Sequence, residues 1–328
     1  MSFTPSRIIS AGLLLASLTA ASSGAGWPGG AVPLSKLAER HTFVSYSAKG
    51  RQITLKTRFN TFLFEGETRT VRFNGTLLWL HAPVVRQWSG WMLSDADVAT
   101  TLLPLLNPPG ALRTEGCRTV LLDPGHGGDD QGASSPHRRL REKDVNLILA
   151  RRVQAILMKN KVDARLTRSR DETLSLDQRC RLAGRGTADL FVSIHLNSAA
   201  SHSASGVETH VLPPAGCPIT AEAGAAARDK VAFAGNRHDA ANTLLGYYLQ
   251  RSLVKYTRLE DRGVRRSRFY VIRNVNCPAA LVECGFLSNA GDSRRLADPA
   301  FQDSVARAIA EGLLTYLNKT KQARGRKP

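Results

Sequence analysis

Four ionisable side chains in this 328-residue chain stand where an apolar run stops or where a helix begins. His126 follows the run Thr119–Asp123 and sits in Asp123-Pro124-Gly125-His126-Gly127-Gly128. Proline and glycine turn the chain there, and glycine clears room for a metal or ligand to come close. Glu142, in Arg141-Glu142-Lys143-Asp144, opens a helical segment, where the helix dipole favours an ionised carboxylate. His195 ends the run that begins at Leu190, and Glu283 ends the run Ala279–Val282. A glutamate at the end of a buried strand costs energy unless it has a partner or a task. Open α/β sheets bind ligands at the C-terminal ends of their strands, so His126 and His195 can meet although distant in the chain. Two histidines and a carboxylate leave one position of a tetrahedral zinc site open, the layout of a catalytic site that keeps a water. A second carboxylate, off the metal, can then serve as general base. The chemistry so read is hydrolysis assisted by one zinc ion; these residues alone do not name the substrate.

Such a site needs parallel strands with helices between them, and the sequence after residue 115 alternates in that way. Thr119–Asp123, Asp163–Leu166, Leu190–Ile194, Val207–Leu212, Phe269–Ile272 and Ala279–Val282 read as strands. Val145, Ile148, Leu149, Val153, Ile156 and Leu157 mark one face of a helix. Further helices are expected from about Asn242 to Lys255 and from Phe301 to Leu317, the latter with Phe301, Val305, Ile309 and Leu313 on one face. The expected fold is α/β, a largely parallel sheet flanked by helices, over residues 116–318. Residues 34–105 read instead as short strands: Thr42–Ser47, Gln52–Lys56, Thr61–Glu65, Thr70–Phe73 and Thr76–Leu80, with Asn74-Gly75 as a hairpin turn and a short helix near Ser94–Leu103. They suggest a small β-rich N-terminal domain, joined by a linker over 106–115 around Asn107-Pro108-Pro109-Gly110.

Composition narrows the class. With 42% hydrophobic and 22% charged residues the chain can build a core. Arg7, the apolar run Ile8–Ala20 and the small residues after it read as a signal peptide over 1–26, too short to span a membrane. No later run is long enough for a transmembrane anchor, so a periplasmic or extracellular location is expected. The formal charge of +18 favours anionic partners; for an exported chain these are wall polymers, and no nucleic-acid-binding module is present. The end of the chain, 319–328, reads as a basic tail. Five cysteines without a CxxC spacing indicate no cysteine-based zinc site, and Cys284, beside Glu283, reads as a buried small apolar residue. His137, His202, His210 and His238 read as surface residues.

The segments LLDPGHGGDDQGA, REKDVNLILA, FVSIHLNSA, DRGVRRSRFYVIRNVNCPAALVEC and PAALVECGFLSN follow one another in an order that resembles the zinc-dependent N-acetylmuramoyl-L-alanine amidases, over about Arg118 to Asn318. The resemblance implies that His126, Glu142 and His195 hold zinc and that Glu283 handles the proton. It implies cleavage of the amide between N-acetylmuramic acid and L-alanine in peptidoglycan, in wall remodelling or daughter-cell separation. Asn197 and Arg262 fall in matching motifs with a substrate or structural role. Some relatives carry a self-blocking helix relieved by an activator protein, which makes such a protein a candidate partner here; residues 213–241, at the corresponding place, are read as a lid or groove wall. The N-terminal strands loosely resemble the N-terminal-like domain of copper amine oxidases, with a binding or spacing role.

Overall fold

The computed structural model describes residues 30–40, 43–109, 119–184, 187–222, 224 and 226–325. The signal peptide expected at 1–26 and most of the expected linker lie outside the described residues. Before that linker come β1 (Ala31–Pro33), α1 (Leu34–Arg40), β2 (Phe43–Lys49), β3 (Gln52–Thr57), β4 (Thr61–Glu65), β5 (Thr70–Phe73), β6 (Thr76–Trp79), β7 (Val85–Gln87), β8 (Gly90–Ser94) and the helical turns α2 (Asp95–Asp97) and α3 (Leu103–Leu106). After it come β9 (Thr119–Pro124), α4 (Glu142–Lys159), β10 (Asp163–Leu166), α5 (Leu176–Ala183), β11 (Leu190–Asn197), β12 (Val207–Val211), α6 (Asp239–Thr257), β13 (Asp261–Arg266), α7 (Tyr270–Arg273), β14 (Ala279–Phe286), α8 (Ala290–Leu296) and α9 (Pro299–Gly325).

Most of these strands form one mixed sheet of eleven, ordered β10-β9-β11-β14-β12-β13-β6-β5-β4-β3-β2. The first four are parallel, as their continuous apolar runs require. β12 runs antiparallel to β14 and parallel to β13. β13 then pairs with β6 at Val264 and Leu78, so the N-terminal strands β2–β6 continue the sheet that carries the candidate site. Only β1, β7 and β8 form a small antiparallel sheet apart. The Asn74-Gly75 turn joins β5 to β6 with both residues at positive φ (48° and 88°), the backbone that this dipeptide favours.

Alternation divides the sheet into two faces. Val120, Leu122, Val192, Ile194, Ala280 and Val282 share one core with residues of α4, α6 and α9. Leu121, Phe191, Ala279 and Leu281 point the other way, into a smaller cluster with Cys180 and Ala183 of α5 and Val271 and Ile272 of α7. Phe269–Ile272, expected as a strand, forms the turn of helix α7. A four-residue apolar run fits a buried helical turn as well as a strand, and here Val271 and Ile272 both bury against that second cluster. No helix among the described residues is long and apolar enough to cross a membrane.

Candidate metal centre

β9, β11 and β14 deliver the predicted residues to one place. His195 of β11 lies beside Glu283 of β14 in the parallel register. His126 sits two residues past the end of β9, and Glu142 is the first residue of α4. One ligand atom from each of His126, Glu142 and His195 lies within 4.8 Å of the others. Glu142 Oε1 is 3.2 Å from His126 Nε2 and 2.9 Å from His195 Nδ1, and the two rings meet edge to face with centroids 4.9 Å apart. His126 Nδ1 is 2.8 Å from Asp130 Oδ2, which fixes the ring with Nε2 inward. Glu142 also accepts the Ala133 N–H at Oε2 (2.8 Å) and the Leu196 N–H at Oε1 (3.0 Å).

The loop that carries His126 is held against its own strain. His126 has φ 61°, followed by Gly127 and Gly128 at 134° and 58°; a non-glycine residue in that region costs about 1–3 kcal/mol unless its surroundings over-determine it. Two buried arginines do so. Arg168 donates from Nε to the Pro124 carbonyl and from Nη2 to those of Gly125 and Lys143, each at 2.9 Å. Arg179 donates to the carbonyls of Pro124 (2.9 Å) and His126 (2.7 Å). Its charge is matched by Asp123 at 2.6 Å, whose other oxygen contacts come from Thr167 and Ser193. Burial opposes ionisation of Asp123, yet the Arg179 charge and these hydrogen bonds hold its carboxyl below the usual range.

Three glutamates converge here in different states. Burial would raise Glu142, but hydrogen bonds and charge from His126 and His195 win and depress it strongly. Glu208 of β12 lies directly across from Glu283. Against its burial, His210, Arg265 and Arg262 bring its carboxyl down to about 2. Glu283 has no such help: its buried Oε2 lacks any hydrogen-bond partner among the described residues. Burial first, and then the negative charges of Glu142 and Glu208, push its carboxyl well above the ordinary value. Carboxylates pushed apart in this way divide into a charged anchor and a proton carrier.

Sequence reasoning missed Glu208, because its strand, Val207-Glu208-Thr209-His210-Val211, has no apolar run for the acid to end. Asn197 Nδ2 donates to Glu208 Oε1 and Arg262 Nε to Oε2, both at 2.9 Å, so both residues hold Glu208. His210, read as a surface residue, is buried, with Nε2 3.1 Å from Glu208 and Nδ1 2.8 Å from Ser267. Cys284 is fully buried and apolar in its surroundings. Residues 213–241 leave the end of β12 that pairs near the start of β14, away from Glu283. They are pinned there by Thr220 N–H to Arg266 O (2.9 Å) and by Asp229 to Arg268 (2.9 Å). That anchoring puts the described residues of the segment at the opposite end of the sheet from His126 and His195, against its reading as a lid.

A metal suits this corner on the structure's own terms. Two imidazoles and a carboxylate converge with one side left to Glu283, whose unpartnered oxygen is otherwise unexplained. A Cβ on Gly125 would run into the His195 ring, and one on Gly132 into the Glu142 carboxylate and His126 ring. The fold and site are those of an α/β enzyme whose reactive corner lies at the ends of parallel strands. Residues 120–315 match the family model described as N-acetylmuramoyl-L-alanine amidase, and the chain belongs to that family. Over 250 residues it is 34% identical to N-acetylmuramoyl-L-alanine amidase AmiA of Escherichia coli, covering 69% of this chain and 86% of that one. The catalytic domain of CwlV, an amidase of the same kind from Bacillus (Paenibacillus) polymyxa, superposes with a TM-score of 0.52 at 35% identity, covering 61% of this chain and 98% of its own. The CwlD amidase of Clostridioides difficile, solved in complex with the GerS lipoprotein, matches with a TM-score of 0.51 at 27% identity over 61% of this chain and 98% of its own. The chain is thus an amidase that hydrolyses peptidoglycan.

Proposed function

We propose that this amidase works with one zinc ion held by His126, Glu142 and His195, and that Glu283 is its proton carrier. The observation that carries the reading is the buried, unpartnered Oε2 of Glu283 beside three converging donors. Zinc bound there would supply Lewis acidity toward the attacking water and the scissile carbonyl. Glu283 takes the proton of the attacking water and passes one to the amine of L-alanine as the amide bond breaks. Asp130 keeps His126 in the tautomer with Nε2 inward, and Arg168 and Arg179 keep its loop in place. Export before action is part of the reading, since its polymer substrate lies outside the cytoplasmic membrane and residues 1–26 have the pattern of a signal peptide. The GerS complex of CwlD supports a partner protein as a further regulator.

The test is a digest of purified murein analysed by mass spectrometry. Stem peptides with a free L-alanine amine are expected, lost on chelation and restored by zinc. Undiminished release after chelation, with metal removal verified, would refute the zinc reading and leave the amidase activity standing.

A further inference from the structure

Register alone shows that the reactive face of the sheet does not stop at the site. His195 pairs with Glu283 and Glu283 with Glu208, so their side chains share a face. His210 pairs with Arg265 on that face, while Val264 and its partner Leu78 point to the core. The neighbours of Leu78 in β6, Leu77 and Trp79, therefore point the same way as Glu283. The side-chain contacts agree. The Arg265 guanidinium reaches Glu208 at 3.0 Å and lies over the Trp79 ring at 5.1 Å, and Trp79 Nε1 donates to Arg262 O at 3.1 Å. Across β5, Leu77 is paired with the exposed Arg72. Helices α4, α6 and α9 cover the other face, and α5 and α7 cover this one only under the first parallel strands.

The geometry points to a glycan subsite on the N-terminal strands: Trp79, Leu77 and Arg72 receive the sugar chain of the peptidoglycan whose stem peptide lies at Glu283. Three inter-strand spacings of about 4.8 Å put β6 about 14 Å from β14. That is the reach of a polymer running outward from the scissile branch point, and the sheet's twist of about 20° per strand winds the surface without breaking it. An aromatic ring, an aliphatic side chain and a guanidinium suit the apolar faces and acetamido oxygens of amino sugars. All three residues lie outside the family match at 120–315. The N-terminal strands thereby gain a role in substrate length selection. This inference rests on the amidase reading of the site.

The experiment compares kcat/KM of the full chain, zinc-loaded, on a monomeric disaccharide-peptide and on glycan strands of increasing length bearing the same peptide. Wild type should gain with length. Trp79→Ala should lose that gain, about tenfold as expected for one aromatic anchor, and keep its rate on the monomer. Arg72→Ala, which removes a 3.5 Å pair with Asp261 but no contact to Glu208 itself, should reduce the gain in the same direction. Equal wild-type rates at all lengths, or equal loss by Trp79→Ala on monomer and polymer, would overturn the subsite while leaving the amidase reading intact. No hydrolysis of either substrate by wild type would refute the site reading itself.

Discussion

Replacing Arg179 by methionine tests the argument that the His126 loop is held by buried charge. The side chains of Arg179 and its partner Asp123 are 4% and 1% exposed, and the pair is closed at 2.6 Å. Breaking a buried pair from one side costs about 3–5 kcal/mol, because the remaining charge is left uncompensated. Thr167 and Ser193 still donate to Asp123, which places the expected loss near the lower end, about 3 kcal/mol. The pH dependence follows from the sign of the shift. In the wild type the Asp123 value is depressed below 3.8, so its contribution is full above that pH and fades as pH falls through the folded value. Without Arg179, burial acts with less opposition and the folded value climbs. The variant's deficit is then largest at neutral pH and shrinks as acid lets Asp123 take up a proton. Urea unfolding at pH 7 and at pH 4.5 measures both effects, and the double variant with Asp123→Asn should recover most of the loss. A deficit under 1 kcal/mol at pH 7, or one that does not change with pH, would refute the clamp. The same variant should bind zinc more weakly, since Arg179 also holds the His126 carbonyl.

Three further outcomes follow from the site. Glu283→Gln should cost about 10²–10⁴ in kcat with zinc binding retained. It should also raise the metal-free protein's stability at neutral pH, because a folded value raised above 4.5 penalises folding at high pH and not below 4.5; denaturation curves at pH 7 and 4 check the sign. Gly125→Ala should abolish zinc binding and activity by driving a Cβ into the His195 ring, with circular dichroism near that of wild type; a zinc affinity equal to that of wild type would contradict the packing. Glu208→Gln should lose about 3 kcal/mol at pH 7, the equivalent of a fall from 4.5 to about 2, and less at pH 3, as read by urea unfolding.

What the sequence disclosed and what it hid differ for physical reasons. His126, Glu142, His195 and Glu283 were legible because each interrupts an apolar or glycine-marked pattern, and strand ends in an α/β sheet converge. Strand bounds such as Thr61–Glu65 and Asp163–Leu166 matched because their limits are set by local turn residues. The continuation of the sheet from β13 to β6 was hidden, since edge pairing between distant segments leaves no local periodicity. Phe269–Ile272 was misread because four apolar residues carry too short a period to separate strand from helix. His210 looked exposed among polar neighbours, yet its burial follows from Glu208, Ser267 and the Phe269 ring closing around it.

Glu208 shows why the carboxyl of Glu283 is pushed up while its neighbours are pushed down. Its charge is met by Arg262 and Arg265, with His210 in hydrogen-bond contact, all on the β12–β13 side of Glu283. The charge of Glu142 is matched from the other side by His126 and His195. Glu283 stands between two carboxylates whose partners are already engaged, so it feels both negative charges and receives no donor at Oε2. A cation placed among His126, Glu142 and His195 would offset part of that field and lower the Glu283 value, which favours a group that must both accept and return a proton. Proton affinity at Glu283 is thus set jointly by Glu142 and Glu208, which makes Glu208 a residue through which changes at Arg262 and Arg265 can reach the reaction.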